Sequence, residues 1–538
     1  MNIPYMKVIV KKNELLLQVF LLIILNYFST KYLYQSLPSE QVYAQNSIFY
    51  SFLHYSPILF GLIILTPLFL YRFKWEEFAD NSYIKIKYFI LFIFSIYAWG
   101  IITLDYNLYF DQAYHLDRIV LLVLFALSFR FPVAFVYFMI FSLLFFNQVS
   151  YPSFECDFPR NYVYTKPLLE ILILFIVFMF VKRVYKQFSI LVFLIVVICF
   201  HASNYFIPGL GKVLLGEQYI DWIWVNDLSN IFVAKYSQGW LATLLSIEQL
   251  QVIVKWISAF SVPMQLFTLI IQTIVLFVFI NKRFTLILFI SFELLHLGIF
   301  MASGIFFWRW ILLNLSIIYI INSLDMDEIK KVFNAKIMLF AMPFIFLGFG
   351  FFHSYWLAWY DTPLNNFHKV YATAEDGERY EIDNNLFAPY DRAFYRNTLN
   401  CFIDAPLKSR WDTTHRDVMK ELTTLSHQEN MDFLKDEVFK FEQKYSQNEF
   451  DIKEQEKSIA FFKVFFKNLN NYQNQKIIWN EVSPMRNMYR LFDWDSPLNK
   501  SSKIVKIEVV FYKNFYSHRH NKLLFLEEKS LVEVNIEQ

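Results

Sequence analysis

The chain has 538 residues, of which 56% are hydrophobic and 20% aromatic, and its formal net charge is +2. Soluble globular proteins carry about 45–50% apolar residues and do not concentrate them in windows of twenty. Such windows recur through residues 1–354, and about 20 apolar residues suffice to cross a bilayer. The composition therefore predicts a polytopic membrane protein whose partner is the lipid bilayer, and the small net charge argues against nucleic acid as a partner.

Residues 1–354 are predicted to form an all-α bundle of membrane helices. The basic start, followed by an apolar stretch without a nearby small-residue cleavage site, indicates an uncleaved first span rather than a signal peptide. The candidate spans are 15–36, 49–72, 86–104, 118–130, 132–149, 166–182, 187–206, 252–281, 284–302, 304–323 and 337–354. Arg130-Phe131-Pro132 divides the fourth from the fifth as a tight turn or a kink, so we expect about 9–11 transmembrane helices.

Lysine and arginine residues occupy every second connection between these spans. They are Lys7, Lys11, Lys12, Arg72, Lys74, Lys85, Lys87, Lys182, Arg183, Lys186, Lys282, Arg283, Lys330, Lys331 and Lys336. Because cytoplasmic loops carry an excess of lysine and arginine, this side is predicted to be cytoplasmic, together with the N-terminus. The loops at 37–48, 105–117, 150–165 and 207–251, and the tail after residue 354, are then predicted to lie outside.

The tail, residues 355–538, is charged and polar and contains no further candidate span. VYATAEDGERYEI alternates polar and apolar residues on both sides of Asp376-Gly377, which predicts a β-hairpin. IVKIEVVFY and LVEVNIEQ are typical of strands, and the 409–460 region has apolar residues at helical spacing, namely Met431, Leu434, Val438 and Phe441. We therefore expect an α+β, β-rich extracytoplasmic domain.

Ionisable residues at membrane depth mark candidate functional positions. Each costs about 2.5–3.5 kcal/mol on insertion, so it tends to face the bundle interior. Glu293 and His296 are three residues apart and share one helix face. The structural alternative for His296 is a hydrogen-bonded core histidine, and for Lys212 a lysine that snorkels to the outer surface.

Three further features argue for structure rather than chemistry. Cys199 lies inside an apolar segment and is predicted to be a small buried hydrophobe. His518-Arg519-His520 falls in a predicted turn between strands and is interpreted as exposed polar sequence, so no metal site is predicted. Metalloprotease chemistry is disfavoured, because no His-Glu-x-x-His motif occurs.

Short motifs in the second half of the bundle follow one another in a recognisable order. They are Gly209-Leu210-Gly211-Lys212, then His296-Leu297-Gly298-Ile299, then Gly304-Ile305 and Phe306 to Trp310. In this order they resemble the horizontally transferred transmembrane domain family, the bacterial relatives of vitamin K-dependent gamma-carboxylase, over about residues 15–320. The resemblance implies a bacterial inner-membrane protein, with a tail that matches the family's extracytoplasmic domain by position.

The same resemblance implies an enzyme of the carbon–carbon lyase class. Such an enzyme uses a reduced quinone of the vitamin K or menaquinone type and CO2 to carboxylate a peptide or another carbon acid at the outer face. The lysine that matches Lys212 is the base that activates the quinone in the family, and desolvation at a membrane edge favours the neutral amine that a base requires. We take Lys212 and His296 as candidate catalytic residues and Asn161, Glu293 and Trp310 as candidate quinone-binding residues.

Two departures from the family pattern support an alternative. The loop at 147–164 offers only Asn161 where the carboxylases have Asn-Asn-His, and the nearest tryptophan after Lys212 is Trp222. The alternative is a non-enzymatic membrane scaffold that binds a lipid or quinone, or presents its external domain to a partner protein. A transporter is less favoured, because no internal repeat is evident. By analogy with a disulfide in the animal carboxylase, Cys156 and Cys401 are predicted to pair.

Overall fold

A computed structural model describes residues 3–36, 75, 81–103, 115–149, 166–387, 402, 411–445, 452–472, 482 and 502–537. Over these residues the chain is mostly helical, with a small β-sheet region toward the C-terminus. The predicted span 49–72, the loop that carries Cys156 and Asn161, and Cys401 lie outside the described residues.

The other predicted spans each correspond to one helix, except 337–354, which is divided between two helices. In chain order the helices are α1 (Ile3–Ser36), α2 (Asn81–Ile102), α3 (His115–Ser128), α4 (Pro132–Val149), α5 (Lys166–Val184), α6 (Ile190–Val213), α7 (Asp221–Val225), α8 (Ser229–Ser237), α9 (Ile247–Ile274), α10 (Lys282–Ser303), α11 (Trp308–Ser323), α12 (Met326–Val332), α13 (Ala335–Phe346) and α14 (Gly348–Phe351). A turn separates α3 from α4, so Arg130-Phe131-Pro132 joins two helices rather than kinking one.

Five helical stretches among the described residues are long and apolar enough to cross a membrane. They are Asn13–Tyr32, Ile84–Ile102, Ile190–Val213, Ile247–Phe277 and Lys282–Ser303. This number is lower than the expected 9–11, and it refers to the described residues alone, which leave out the predicted span 49–72. Helices α3 and α11 have 14 and 16 residues, which gives lengths of about 21 and 24 Å against a hydrocarbon core of about 30 Å. The five stretches make the chain compatible with an integral membrane protein.

Helix α6 is the central helix of the bundle and packs against α1, α9 and α13. It begins at Ser189, whose side chain accepts a hydrogen bond from the Leu191 backbone. The sequence predicted an end at residue 206, but the helix continues through Pro208 to Val213. Pro208 stands inside the helix and removes one helical hydrogen bond, because it has no backbone N–H. Pro208, Gly209 and Gly211 are all buried, so packing holds these last turns in the helix. Lys212 therefore lies in the last turn of α6 rather than beyond it.

The connection between α6 and α9, residues 214–246, contains the two short helices α7 and α8. It ends at a capping box, in which Ser246 and Gln249 each bond the other's backbone N–H. Trp222 and Ile223 of this connection pack with Tyr360 and Met419 of the tail. The connection therefore lies between the helical bundle and the tail.

The tail is built on an antiparallel sheet of order β3-β2-β5-β6. Its strands are β2 (Leu364–Ala374), β3 (Arg379–Glu381), β5 (Ile504–Ser517) and β6 (Lys522–Asn535), and a separate pair joins β1 (Tyr360–Asp361) to β4 (Asp412–Thr413). The hairpin predicted around Asp376-Gly377 is confirmed, and Gly377 has the positive φ of +84° that its turn requires. The two C-terminal strands are confirmed as well.

Three helices of the tail pack against this sheet. They are α15 (Arg416–Ser426), α16 (Leu434–Lys444) and α17 (Ile452–Tyr472). The helical spacing recognised in the sequence places Leu434, Val438 and Phe441 on the buried face of α16. Beside them, the Lys513 ammonium lies 2.7 Å from the buried Glu442 carboxylate, so the charge on the sheet is paired.

Candidate functional site

Three helices of the bundle bring six polar or aromatic side chains together inside an apolar surrounding. Helix α6 contributes His201 and Tyr205, one turn apart, α10 contributes Glu293 and His296, and α11 contributes Trp310 and Asn314. In each pair the spacing of three or four residues places both side chains on one helix face. We call the set His201, Tyr205, Glu293, His296, Trp310 and Asn314 the polar cluster.

Asn314 links the two histidines through a chain of hydrogen bonds. Its side-chain oxygen accepts from His201 Nε2, and its amide nitrogen donates to the Tyr205 hydroxyl over 2.9 Å. The Tyr205 hydroxyl in turn lies 3.4 Å from His296 Nε2. The Glu293 carboxyl group also reaches the Asn314 side chain.

The direction of this chain assigns a role to each ring nitrogen. His201 Nε2 must carry a hydrogen, because an amide oxygen only accepts, and so its Nδ1 is an acceptor in the neutral ring. The Tyr205 hydroxyl already accepts from Asn314, and its own hydrogen is free to go to His296 Nε2. In the tautomer that accepts this hydrogen at Nε2, His296 Nδ1 is the donor.

Four polar atoms of the cluster have no hydrogen-bond partner among the described residues. They are His201 Nδ1, Glu293 Oε1, His296 Nδ1 and Trp310 Nε1. The first, third and fourth belong to side chains at least nine-tenths buried. Leaving a buried polar group unpaired costs about 1–3 kcal/mol. Several unpaired groups in one small region would destabilise the fold strongly, unless a bound ligand forms hydrogen bonds with them.

Aromatic rings line the same region. His201 stacks on Trp310 with ring centres 5.7 Å apart, and His296 stacks on Phe307 at 5.5 Å. Tyr205 lies parallel to Phe292, with an interplanar angle of 2°. The arrangement offers flat apolar faces together with hydrogen-bond donors and acceptors, which suits a planar ring that carries polar oxygens.

Lys212 lies on α6 seven residues beyond Tyr205, about 10 Å further along the helix axis. Its ammonium donates to the backbone oxygens of Pro208 at 3.3 Å and Leu357 at 3.1 Å, and lies 5.5 Å from the centre of the Trp222 ring. These partners belong to α6, to the start of the tail and to α7. The structure thus brings Glu293, His296 and Trp310 together and places Lys212 in a separate environment toward the tail.

A second polar network joins the connection 214–246 to the tail around Asp361. Its carboxylate accepts hydrogen bonds from Asn226 at 3.0 Å and from the Trp359 indole at 3.1 Å. Burial raises the pKa of Asp361 to about 7, and the carboxylates of Asp412 and Asp227 act in the same direction, while the two donors oppose them. We call this the junction network.

His518 extends the junction network into the β5–β6 turn. Its Nε2 lies 2.9 Å from the Asn230 side-chain oxygen, and its ring stacks on His427. Burial lowers the pKa of His518, His427 lowers it further, and Asp227 acts in the opposite direction. The sequence interpretation of this histidine as exposed is wrong, because only 11% of its side chain is accessible.

Sequence reasoning missed His201, Tyr205 and Asn314. A signal was present, since His201 and Tyr205 interrupt a long apolar run at helical spacing, as Glu293 and His296 do. Cys199, also on α6, is buried as predicted. Among the described residues, no group of three or more histidine, cysteine, aspartate or glutamate side chains could hold a metal ion.

Comparison with protein-family models finds no matching family, and comparisons with curated proteins and with solved structures find no match either. The case for a function therefore rests on the geometry of the polar cluster.

Proposed function

We propose that this chain is an integral membrane enzyme that binds a reduced quinone in the polar cluster and carboxylates a carbon acid, as the gamma-carboxylase-like motifs imply. The observation that carries the proposal is the set of unpartnered polar atoms on His201, Glu293, His296 and Trp310 beside stacked aromatic rings. Buried polar groups are normally hydrogen-bonded, so four unpartnered atoms in one place favour a bound polar ring.

The residues of the cluster fit the ring of a reduced quinone. His296 Nδ1 and Trp310 Nε1 are donors suited to the ring oxygens, and His201 Nδ1 is an acceptor suited to a ring hydroxyl. Phe292 and Phe307 stack on Tyr205 and His296, so the unpartnered polar atoms stand among apolar rings. Leu294 and Leu297 of α10 are exposed next to Glu293 and His296, which gives a prenyl chain an apolar route to the lipid.

In the proposed reaction the carbon acid loses a proton and the same carbon forms a new bond to CO2, which leaves a carboxylate. A bound reduced quinone would supply, on its oxidation by O2, the strong base that removes that proton, so O2 is a co-reactant of the proposed step together with CO2. Lys212 lies toward the tail, on the side from which a peptide would approach, and as its neutral amine would accept the proton released from a hydroxyl of the reduced ring. His296 would hold the ring by its Nδ1 hydrogen.

We also propose a cytoplasmic N-terminus and an external tail. The basic connections support this topology, because they meet at one end of the bundle. Lys336 bonds Asn13 over 2.6 Å, and Lys85 bonds the Ser323 backbone oxygen. The tail contacts α6 at Lys212, far from Lys186 at the opposite end of that helix. Reporter fusions after residues 186 and 445 would test this, and activity of a periplasmic reporter at 186 would contradict it.

One observation favours a second candidate, the non-enzymatic scaffold. The Lys212 ammonium is held by two backbone carbonyls and the Trp222 ring, which is the environment of a charged structural lysine. In that case the chain would bind a quinone or lipid in the polar cluster, and the tail would present a surface to a partner protein without any carboxylation.

Incorporation of labelled bicarbonate into a glutamate-containing peptide by the full chain in lipid nanodiscs, with reduced menaquinone present, tests the enzymatic proposal. Incorporation should require His296 and Lys212, so His296→Ala and Lys212→Ala should each lose it. Lys255→Ala, a change at an exposed lysine near the same end of the bundle, is the control and should keep it. Quinone binding without incorporation in any peptide would favour the scaffold, and the absence of both would contradict the proposal.

A further inference from the structure

Helix α9 continues well beyond the end of α6 that faces the tail. Gly209, in the last turns of α6, packs against Gln272 of α9. Trp256 precedes Gln272 by sixteen residues, which is about 24 Å along the helix axis. Helix α6 has 24 residues and a length of about 36 Å, so it already crosses a hydrocarbon core of about 30 Å. The first half of α9 therefore lies beyond the hydrocarbon, on the tail side.

One face of this first half packs against the connection 214–246 and the tail. Ser261 accepts a hydrogen bond from the Leu228 backbone N–H over 2.9 Å, and Ser258 donates to the Asp227 carboxylate over 2.6 Å. Closer to the start of α9, buried side chains of the helix and of the β5–β6 hairpin form one apolar cluster, which includes Leu250, Val254, Tyr516 and Leu523. Contact with a carboxylate and with the end of the sheet places this half of α9 outside the bilayer core.

The opposite face of α9 carries an exposed apolar stripe. Its members follow one another in alternating steps of four and three residues, namely Val252, Trp256, Ala259, Pro263, Leu266 and Ile270. All six are exposed, and Val252 and Trp256, in the half beyond the hydrocarbon, are 57% and 63% accessible. We call these six residues the α9 seam. Steps of four and three residues are the repeat by which two helices pair in a coiled coil.

Lipid alone does not cover the whole seam. Leu266 and Ile270, in the inner half, can face acyl chains. Val252 and Trp256, in the outer half, would be left in water, where large apolar side chains in a row are unfavourable and mark an interaction surface. A partner that pairs along the full length of α9 covers both halves.

We propose that the α9 seam is a dimerisation surface, at which α9 of a second copy of this chain packs parallel to the first. Two copies in one membrane are related by a two-fold axis along the membrane normal, so each seam residue meets its own counterpart. The seam suits this symmetry because none of its residues carries a charge, and no like charges meet at the axis. The small Ala259, one turn from Trp256, leaves room for the indole ring of the second copy.

A charged residue beside the seam fits the same arrangement. In a parallel pair of helices the residue just before an a position faces the residue five positions later on the partner helix. With Trp256 at an a position, Lys255 then faces Phe260 of the second copy. A cation over an aromatic ring is favourable, and Phe260 is held in place by stacking on Trp256 with ring centres 5.9 Å apart. The inference rests on the membrane location and is independent of quinone binding and of carboxylation.

Cysteine cross-linking of the full chain in native membranes tests the proposal. Ala259→Cys places a thiol on the seam, and an oxidant should convert most of this variant to a disulfide-linked dimer. Met264→Cys is the matched control, because Met264 is 40% exposed on the same helix but lies five residues further on, a rotation of about 140°. It should give several-fold less dimer, and the wild type, with its three cysteines, sets the background. Should Ala259→Cys disturb folding, Val252→Cys replaces it at the equivalent seam position.

The number of copies in nanodiscs is a second measurement. By native mass spectrometry the wild type should show twice the mass of one chain, and Val252→Glu, which places like charges on both sides of the seam, should show the mass of one. Phe439→Glu, an acid at a 58% exposed position of α16, should keep the double mass. A single copy in the wild type, or equal cross-linking at positions 259 and 264, would overturn the proposal and leave the seam to lipid or to a different protein.

Discussion

Asn314 holds the polar cluster together, because one amide side chain orients a histidine on one side and a tyrosine on the other. The orientation of this amide determines that the His201 hydrogen is on Nε2, and it positions the Tyr205 hydroxyl that contacts His296. A hydrophobic residue at this position would leave His201 Nε2 without its acceptor and free both rings to rotate. The chemistry offered to a ligand by His201 and His296 thus depends on a residue that need not touch the ligand.

Asn314→Leu should therefore weaken binding of reduced menaquinone by roughly tenfold or more, the equivalent of one or two lost hydrogen bonds. The leucine fills a similar volume, so the bundle should stay folded. Equilibrium binding in nanodiscs measures the change. Ser316→Ala is the control, since Ser316 lies on the same helix and bonds only the Leu312 backbone. Unchanged affinity in Asn314→Leu would exclude the orienting role.

Lys212→Arg separates a base from a structural cation. Arginine keeps the positive charge and can still donate to the Pro208 and Leu357 carbonyls, but it does not lose its proton in proteins. If Lys212 is a base, bicarbonate incorporation should be lost while the melting temperature stays near that of the wild type. An arginine variant that keeps full incorporation would show that only the cation is needed.

At this scale the sequence indicated half of the cluster. Glu293 and His296 stood out because ionisable residues are rare in an apolar helix, and Trp310 followed from the motif order. His201 and Tyr205 interrupt a long apolar run at helical spacing and could have been recognised in the same way. Asn314 carries no charge and could not be distinguished from an ordinary core residue. The convergence of three helices at one point depends on tertiary packing. The periodicity of a sequence describes one helix at a time and does not show which helices meet.

The pairing of α6 with α9 depends on a close approach at Gly209. A Cβ added there would lie 2.7 Å from the Cβ of Gln272 and 3.2 Å from its backbone carbonyl carbon. The glycine of the Gly209-Leu210-Gly211-Lys212 motif therefore has a packing function. It brings α9 against the last turns of α6, next to Lys212.

Gly209→Ala should destabilise the protein by about 1–3 kcal/mol, as overpacking in a tight interface does. The matched control is Gly298→Ala on α10, where an added Cβ meets nothing within 4 Å. Thermal unfolding of the full chain in the same detergent compares the two. Equal melting temperatures for both variants would contradict the close packing of α6 on α9.

Helix positions followed closely from the sequence, because long apolar windows and turn residues bound them. The ends of the helices did not follow from the sequence. Helix α6 continues through Pro208, because its last turns are buried between α9 and the tail. The hairpin at Gly377 and the amphipathic α16 were predictable from local pattern alone. The pairing of β2 with β5 was not, since about 130 residues separate the two strands in the chain.

Across the whole molecule, the junction network ties the tail to the connection that caps the bundle. Asn226 and Asn230 of the connection bond Asp361 of the tail through both side chain and backbone. His518 reaches Asn230 from the far end of the sheet. The pKa of Asp361 is raised and that of His518 is lowered. The stability of the folded protein should therefore depend on pH through this network.

Asp361 should make the folded protein less stable as pH rises. Its folded pKa of about 7 lies above the unfolded value of about 3.9, so the folded state holds the extra proton and stability falls between those limits. The lowered pKa of His518 opposes this wherever the unfolded histidine gains a proton, around and below its pKa of about 6.5. Because the two effects overlap between about pH 6.5 and 7.5, the Asp361 effect is read from the difference between the wild type and Asp361→Asn.

From pH 6.5 to 8 the melting temperature of the wild type should thus drop relative to that of Asp361→Asn, which lacks the titrating carboxyl group. Asp432→Asn, which changes an exposed acid of the tail, should behave like the wild type. Differential scanning fluorimetry in nanodiscs follows all three proteins. A wild-type melting temperature that does not fall relative to that of Asp361→Asn over this interval would contradict the assignment of a buried, proton-holding Asp361.

The central claim is that the polar cluster binds the ring of a quinone carried in the lipid. An experimental structure of the full chain, purified with its native lipids retained, tests this most directly. We expect a flat ring against Trp310 and Phe307, with its oxygens within hydrogen-bond distance of His296 Nδ1 and His201 Nδ1. A structure in which His201 and His296 bond other protein groups instead, with a quinone bound elsewhere or not at all, would contradict the claim.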